Sequence, residues 1–161
     1  MRMGPGRIHC GMRCIGMAET AMKMMVAWSK SRIAFGKPLH QQGITAQAIA
    51  RSRIEIDQAS LLCLHAAKVM DEIGSKAARK ETGMIKIVGT EVLKSVTERA
   101  IQVHGAMGIT DRKTLSANLG FTWNLLLGDG PGEVHLQTIA KMEVAGNEDS
   151  DADYFCFEPD E

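Results

Sequence analysis

Aromatic side chains are few in this sequence: four Phe, two Trp and one Tyr, 4% of 161 residues. Strands draw on aromatic and β-branched residues, so this scarcity weighs against a β-sandwich. Cysteine pairing is missing too. Cys10, Cys14, Cys63 and Cys156 contain no CxxC; Cys10 and Cys14 lie one helical turn apart, but no His or Cys pair elsewhere completes a zinc pattern. The expectation is an intracellular protein with reduced, buried thiols. His9, His40, His65, His104 and His135 lack HExxH or ladder spacing, so no metal is expected. No Ser-His-Asp order and no Gly-x-Ser-x-Gly elbow supports hydrolase chemistry. No apolar run approaches the ~18 residues of a membrane span. Met1-Arg2-Met3-Gly4 is neither a signal nor a transit peptide. Basic residues neither cluster nor interleave with aromatics, so nucleic acid is not an expected partner.

Net charge is also absent, at zero, but it conceals an asymmetry. Residues 147–161 carry seven acids and no Lys or Arg, which leaves 19 bases against 12 acids in the rest of the chain. A basic body attracts anions such as a nucleotide pyrophosphate or CoA phosphates, and is equally compatible with a solvated surface beside an acidic tail. What the chain does have is methionine, 11 residues, within a hydrophobic fraction of 45%. An aliphatic, methionine-rich core suits packed helices, and the length suits one domain. The run Met17, Met22, Met24, Met25 reads as bundle core, with a partner-binding groove as the other option.

Helical periodicity runs through four segments. Residues 6–33 place Ile8, Met12, Ile15, Met22, Met25 and Val26 on one stripe, which stops near Phe35-Gly36 ahead of Pro38. Residues 44–73 repeat it with Ile49, Ile56, Ala59, Cys63, Ala66, Met70 and Ile73, ending at Gly74. Residues 76–103 carry Met84, Val88, Val92, Val96 and Val103, ending at His104-Gly105. After a turn-rich stretch to Lys113, residues 114–127 and 133–144 read as two shorter helices split by Gly128-Asp-Gly-Pro-Gly132. Nothing reads as a strand. Three long helices and a broken fourth predict an all-α, antiparallel four-helix bundle over residues 1–145. Residues 146–161 read as an acidic, disordered tail in which Tyr154, Phe155 and Phe157 are the only anchors, able to bind a partner.

Three short segments carry candidate chemistry, each with a plain structural alternative. Arg32 precedes Phe35-Gly36-Lys37, where a guanidinium can grip a pyrophosphate or complement a helix C-terminus. Gln102 to Gly108 is either a backbone approach to a ligand or a helix C-cap at Gly105 followed by a turn. It is no Walker loop, lacking Gly-Lys-Ser/Thr and a preceding strand. Asp129 is either a carboxylate base or a turn-former in Asp-Gly-Pro-Gly. Gly4-Pro5-Gly6-Arg7 is a ligand-contacting segment or an ordinary helix start.

In this order and at these separations, the segments Arg32–Leu39, Gln102–Ile109 and Gly128–His135 resemble the C-terminal helical domain of the acyl-CoA dehydrogenases. Asp-Gly-Pro in the last segment resembles the branch of acyl-CoA dehydrogenase family members 10 and 11. The resemblance covers roughly residues 4–144, and only the last third of a typical member. It implies FAD as cofactor and acyl-CoA as substrate, with a homodimer or dimer of dimers as the assembly. Arg32 and Phe35 would contact the FAD of a neighbouring subunit, and Gln102, Val103, His104, Gly105 and Ala106 would lie along its adenosine half. Pro131, Gly132 and Glu133 would complete the cofactor contacts, with Pro131 standing where most members have Thr. Asp129 would be the catalytic base in place of the usual Glu, and Gly4, Pro5, Gly6, Arg7 and Gly130 would contact the acyl-CoA.

The reaction so implied is α,β-dehydrogenation of an acyl thioester in fatty acid β-oxidation. Electron-transfer flavoprotein would be the partner of the intact enzyme, and the mitochondrion, or else the peroxisome, its location. The family's β-domain and other helical domain do not match any part of this sequence. The other reading is therefore a non-catalytic helical dimerisation or interaction module, left by truncation or splicing.

Overall fold

The computed structural model describes residues 3–146. The expected tail, with Tyr154, Phe155, Phe157 and Cys156, lies outside the described residues. Among the described residues there are five α-helices: α1 (Met3–Ser31), α2 (Gly43–Ile73), α3 (Arg79–His104), α4 (Leu115–Leu127) and α5 (Gly132–Gly146). Every helical segment expected from periodicity is present, with ends shifted by a few residues. The fold is all-α, and α4 and α5 together form the broken fourth helix.

Side-chain pairs fix the directions. Arg53 on α2 meets Glu19 on α1 and Arg99 on α3 meets Glu55 on α2, while Cys63 and Ala66 further along α2 meet Ile8 and Ile85 earlier on α1 and α3, so α2 runs antiparallel to both neighbours. Lys94, Lys86 and Lys80 of α3 meet Trp123, Leu126 and Glu143 in turn, so α4 and α5 run back along α3. All the other helices pack on α3, which makes it the spine of the bundle.

The α1 stripe is Cys10, Cys14, Ala18, Ala21 and Met25, buried at four- and three-residue steps. It faces Leu93, Val96 and Ala100 of α3 and Ile56 and Ala59 of α2. Met17, Met22 and Met24 pack against this cluster, as expected of a methionine-rich core. Ile8, Cys63, Ala66 and Ile85 form a second cluster toward the start of α1. Two expected core positions are exposed: Met12 (61%) and Ile73 (59%). Met12 stands beside Gly11, where α1 touches α3, and Ile73 lies on the last turn of α2, on the wall of an open cleft.

The α1–α3 contact is backbone against backbone. A Cβ on Gly89 would sit 3.2 Å from Gly11 Cα, and one on Gly11 would sit 2.7 Å from Ile85 Cγ1. Two glycines thus let the helices approach to a distance that side chains would forbid.

One expectation needs correcting. Ile33–Ala34 (β1) and Lys37–Pro38 (β2) pair as a two-residue antiparallel hairpin, where the sequence suggested no strand. Period-2 alternation cannot show itself in so short a run; the hairpin comes from its turn, with Phe35 at φ 53° and Gly36 at φ 78°.

Replacing Gly89 by Val should lower stability by about 2 kcal/mol through overpacking, roughly 4–8 °C in melting temperature. Gly16→Ala, on the exposed face of the same pair with nothing within 4 Å of the new methyl, should raise it. Thermal melts followed by circular dichroism read both, and equal effects would contradict the close crossing.

Candidate functional site

The candidate residues fall into two clusters, one toward each end of the bundle. Arg7 and Arg32 are separated by 25 positions on and just beyond α1, roughly 37 Å of helix.

The first cluster gathers around the break between α4 and α5. Gly128-Asp-Gly-Pro-Gly stops α4 because Asp129 (φ 57°) and Gly130 (φ 100°) are both left-handed, which turns the chain sharply. Asp tolerates this conformation better than most residues, so the turn-forming role is real. The Asp129 side chain stays exposed. Its carbonyl accepts a hydrogen bond from His135 Nε2, at 3.2 Å, so that nitrogen carries the proton. Gly130 is fitted to the same ring, since a Cβ there would lie 3.2 Å from His135 Nε2. Pro131 and Glu133 are exposed and Gly132 half-buried at the start of α5, where the Glu133 carboxylate complements the helix dipole.

Beneath this turn sits a buried cation. Lys86 is fully buried, and its Nζ donates to the Leu126 carbonyl at 2.6 Å, at the last turn of α4. Desolvation pushes its pKa down, opposed by the charges of Cys10, Asp129 and Cys14. The two α1 thiols pair: a hydrogen bond from Cys14 lowers Cys10 to about 7, against the effect of burial, with Lys86 and Arg13 adding to the lowering. Cys14, the donor, is raised. His135 is lowered by burial first and then by Arg7, which places Arg7 in the same electrostatic neighbourhood. Arg7 is half-buried, with Nε enclosed and without a hydrogen-bond acceptor. Gly4 is buried against Ser75 and Met70, and Pro5 and Gly6 lie nearer the surface. Gly4 and Arg7 line a cleft of about 730 Å³ with Ile73, Gly74, Ser75, Lys76, Arg79 and Thr82.

The second cluster lies at the other end. Arg32 follows α1, its backbone N–H bonded to Trp28 O, and its side chain is exposed. Phe35 is 97% exposed at φ 53°. A bulky residue in the left-handed region is strained, and an unburied phenyl ring adds to the cost. Gln102 and Ala106 are exposed, Val103 is half-buried, and Gly105 turns the chain at φ 62°. The N–H of Gly105 caps α3 through the Gln102 and Ile101 carbonyls, as the C-cap reading expected. His104 differs from its neighbours: it is buried, donates from Nδ1 to Ala100 O at 2.7 Å, and stacks on Trp28 at 5.1 Å between centroids. Its Nε2 and Trp28 Nε1 are buried without partners. Gly108 is demanded by packing, as a Cβ would sit 2.8 Å from Ile101 O. A second cleft, about 530 Å³, runs past Gln102 and Val103 between α2 and α3, with Arg51 and Arg99 on its wall.

Lys86, His135, Lys76 and Arg79 are candidate-site residues that the sequence reading missed. Lys86 alone left a signal, as a charge within the Thr82–Lys86–Gly89–Leu93 stripe of α3. Among the described residues no group of three His, Cys, Asp or Glu side chains could hold a metal, and no described helix is long and apolar enough to cross a membrane.

Comparison with known proteins gives a consistent family. The family model described as "Acyl-CoA dehydrogenase, C-terminal domain" matches residues 1–143. The chain is 50% identical over 144 residues to "Probable acyl-CoA dehydrogenase FadE2" of Mycobacterium tuberculosis, covering 89% of this chain and 35% of that protein. It is 48% identical over 143 residues to acyl-CoA dehydrogenase family member 10 of Mus musculus, covering 89% of this chain and 13% of that one. The solved butyryl-CoA dehydrogenase from Megasphaera elsdenii superposes with a TM-score of 0.82 at 25% identity, over 88% of this chain and 37% of that one. A glutaryl-CoA dehydrogenase from Mycobacterium smegmatis, solved in complex with FADH2, shares the fold with a TM-score of 0.83 at 21% identity, over 89% and 36%. The chain thus spans about a third of the first of these relatives and less of the second.

Two buried histidines make stability depend on pH. His104 and His135 are both lowered below the ordinary 6.5, chiefly by burial, so the fold favours their neutral forms. The unfolded chain then binds more protons, and stability is lost as pH falls through and below about 6.5. Melting temperature should drop between about pH 7 and pH 5, before the Glu19–Arg53 pair titrates, and His104→Gln should flatten that slope. A melting temperature constant over this window would contradict the burial of both rings.

Proposed function

The chain belongs to the acyl-CoA dehydrogenase family, and we propose that it supplies two half-sites of a flavin-dependent dehydrogenase acting on acyl-CoA thioesters. One observation carries this reading. Among the described residues, the two non-glycine residues with positive φ are Phe35 and Asp129. They lie at opposite ends of the bundle, each inside one of the segments that resemble the family's ligand-contacting motifs. Backbone strain concentrates at functional sites, where surrounding structure sustains it.

In this reading Asp129 removes the α proton of the acyl thioester. The carboxylate is exposed here, and an acyl chain and cofactor covering it would desolvate it and raise its pKa toward the working pH. His135 holds the Asp129 carbonyl and Lys86 holds the end of α4, so the turn that presents the carboxylate is fixed from both sides. Gly4, Pro5, Gly6, Arg7 and Gly130 meet the acyl-CoA. Arg7, Lys76 and Arg79 line one cleft, and three cations there suit an anionic ligand. FAD, the cofactor of the family, supplies the hydride acceptor when bound. Pro131, Gly132 and Glu133, two to four residues after the base, would complete the cofactor contacts.

The second half-site is Arg32, Phe35, Gln102, Val103, His104, Gly105 and Ala106, offered to the FAD of a neighbouring subunit. Its fit rests on the exposed Phe35 ring, the exposed Gln102 amide and the open space around Gly105. Roughly 37 Å of helix between the half-sites means that one chain cannot close both on a single site. A homodimer or dimer of dimers is the assembly that would bring both half-sites into use. Fatty acid β-oxidation, in the mitochondrion or the peroxisome, and electron-transfer flavoprotein as electron acceptor complete the reading of the intact enzyme. A dimerisation module without turnover is the second reading, favoured by the exposed Ile54, Leu61 and Leu64 on α2.

In an intact enzyme, Asp129→Asn should keep FAD and acyl-CoA binding and slow flavin reduction about 10²–10⁴-fold, the range of a general base. A turn-only role would leave the rate unchanged, because Asn also favours the left-handed conformation. Arg32→Ala should weaken FAD retention by ~1.5–3 kcal/mol, the scale of a charge-assisted hydrogen bond, with little change in melting temperature. Unchanged flavin content with a lowered melting temperature would assign Arg32 to the helix dipole instead.

A further inference from the structure

The cleft at the start of α3 and the residues beyond α5 have complementary charge. Arg7, Lys76 and Arg79 line the cleft and no carboxylate does. Lys80, next to Arg79, pairs with Glu143 on α5, so the last turn of α5 lies against the first turn of α3. The chain leaves Gly146 one turn further on. Residues 147–161, beyond that point, contain seven acids, no Lys or Arg, and the apolar Tyr154, Phe155 and Phe157. Fifteen residues can extend up to ~50 Å, several times the distance to the cleft rim that one turn of helix leaves.

We propose that residues 147–161 dock in cis into the Arg7–Lys76–Arg79 cleft and compete there with anionic ligands. The acids neutralise three cations that no described carboxylate in the cleft wall neutralises. Among the cleft's apolar surfaces, Ile73 is 59% exposed and offers an aromatic side chain a contact. A short tether holds the segment at an effective concentration of the order of mM, so a weak intrinsic affinity suffices. Competition with CoA additionally rests on the reading of this cleft as the acyl-CoA site; the docking does not.

Carbodiimide coupling of the 161-residue chain, read by mass spectrometry, tests the docking. It joins lysine amines to carboxylates in contact, and the Lys80–Glu143 pair is an internal control. Links from Lys76 to acids between 148 and 161 are expected in low salt, and they should fade at about 0.5 M salt, where the Debye length falls below ~5 Å. Control links without Lys76–tail links overturn the proposal. So do tail links that join different copies in a mixture of ¹⁴N- and ¹⁵N-labelled chains, which would identify a second copy as the occupant.

The second arm titrates CoA into the chain and into a variant with all seven acids changed to Asn or Gln. CoA should bind the variant about five-fold more tightly, the factor set by an effective concentration a few times an intrinsic Kd of ~1 mM. Equal affinities overturn the competition. CoA binding to neither chain overturns the substrate reading of the cleft, while the cross-links still decide the docking.

Discussion

The bare crossing of α1 and α3 at Gly11 and Gly89 is the constraint on which the rest of the molecule depends. It brings Cys10 and Cys14 against the stretch of α3 that carries Lys86, and leaves the Lys86 ammonium no route to water. A buried ammonium needs an acceptor, and the nearest outlet is the carbonyl of Leu126 at the end of α4. That bond holds the last turn of α4 in place against α3. Two residues later the chain reaches Gly128 and enters the left-handed Asp129-Gly130 turn. The position of the candidate base is therefore set by a glycine contact two helices away, through one buried cation. Widening the crossing by a single methyl group would act on the turn as well as on the core.

Strain and unmet polarity mark the same two regions. Asp129 and Phe35 hold left-handed backbone, while Arg7 Nε at one end and His104 Nε2 with Trp28 Nε1 at the other are enclosed without partners. Each of these departures costs free energy in the isolated chain, and buried polar groups in native proteins are nearly always satisfied. Their concentration beside the proposed half-sites fits a fold completed by ligands and neighbouring protein. Along the middle of the bundle the Thr97 hydroxyl is also buried without a partner, while the two guanidinium groups there are met. Arg99 pairs both guanidinium nitrogens with Glu55, and Arg53 bonds Glu19 in the same way.

The helices and their order were legible in the sequence because each buries one stripe, and a stripe leaves a period. Gly74, Gly105 and the Gly128–Gly132 run marked three helix ends for a local reason, the left-handed or helix-breaking backbone that each requires. The motif residues were legible through resemblance, since a turn such as Asp129-Gly130 reads alike whether or not it holds a base. What stayed hidden is what only tertiary contact creates. His135 matters because a turn folds back onto its ring, and Lys76 and Arg79 because α1 lies across them. Lys86 broke the stripe of α3 and was legible in principle as a charge at a core position. Met12 was misplaced for the opposite reason: periodicity allots a face about 100° wide, and the Gly11 contact narrows it.

On the proposed reading, the separation of the half-sites turns a folding fact into an assembly requirement. A chain with the proposed base at one end and the proposed cofactor clamp at the other can use both only when another chain meets each end. If two copies related by a two-fold axis do so, each lends its Arg32 end to its partner's base end, and the exchange is reciprocal. The Phe35 ring, 97% exposed in one chain, then has something to cover it. In such an arrangement the rigidity of α1 and α3 becomes functional, because these helices span the distance between the two sites without a break. The glycine crossing lies between the ends and holds the two helices in register. Cofactor retention at one end and base position at the other are then mechanically linked, and a change at Gly89 should disturb both.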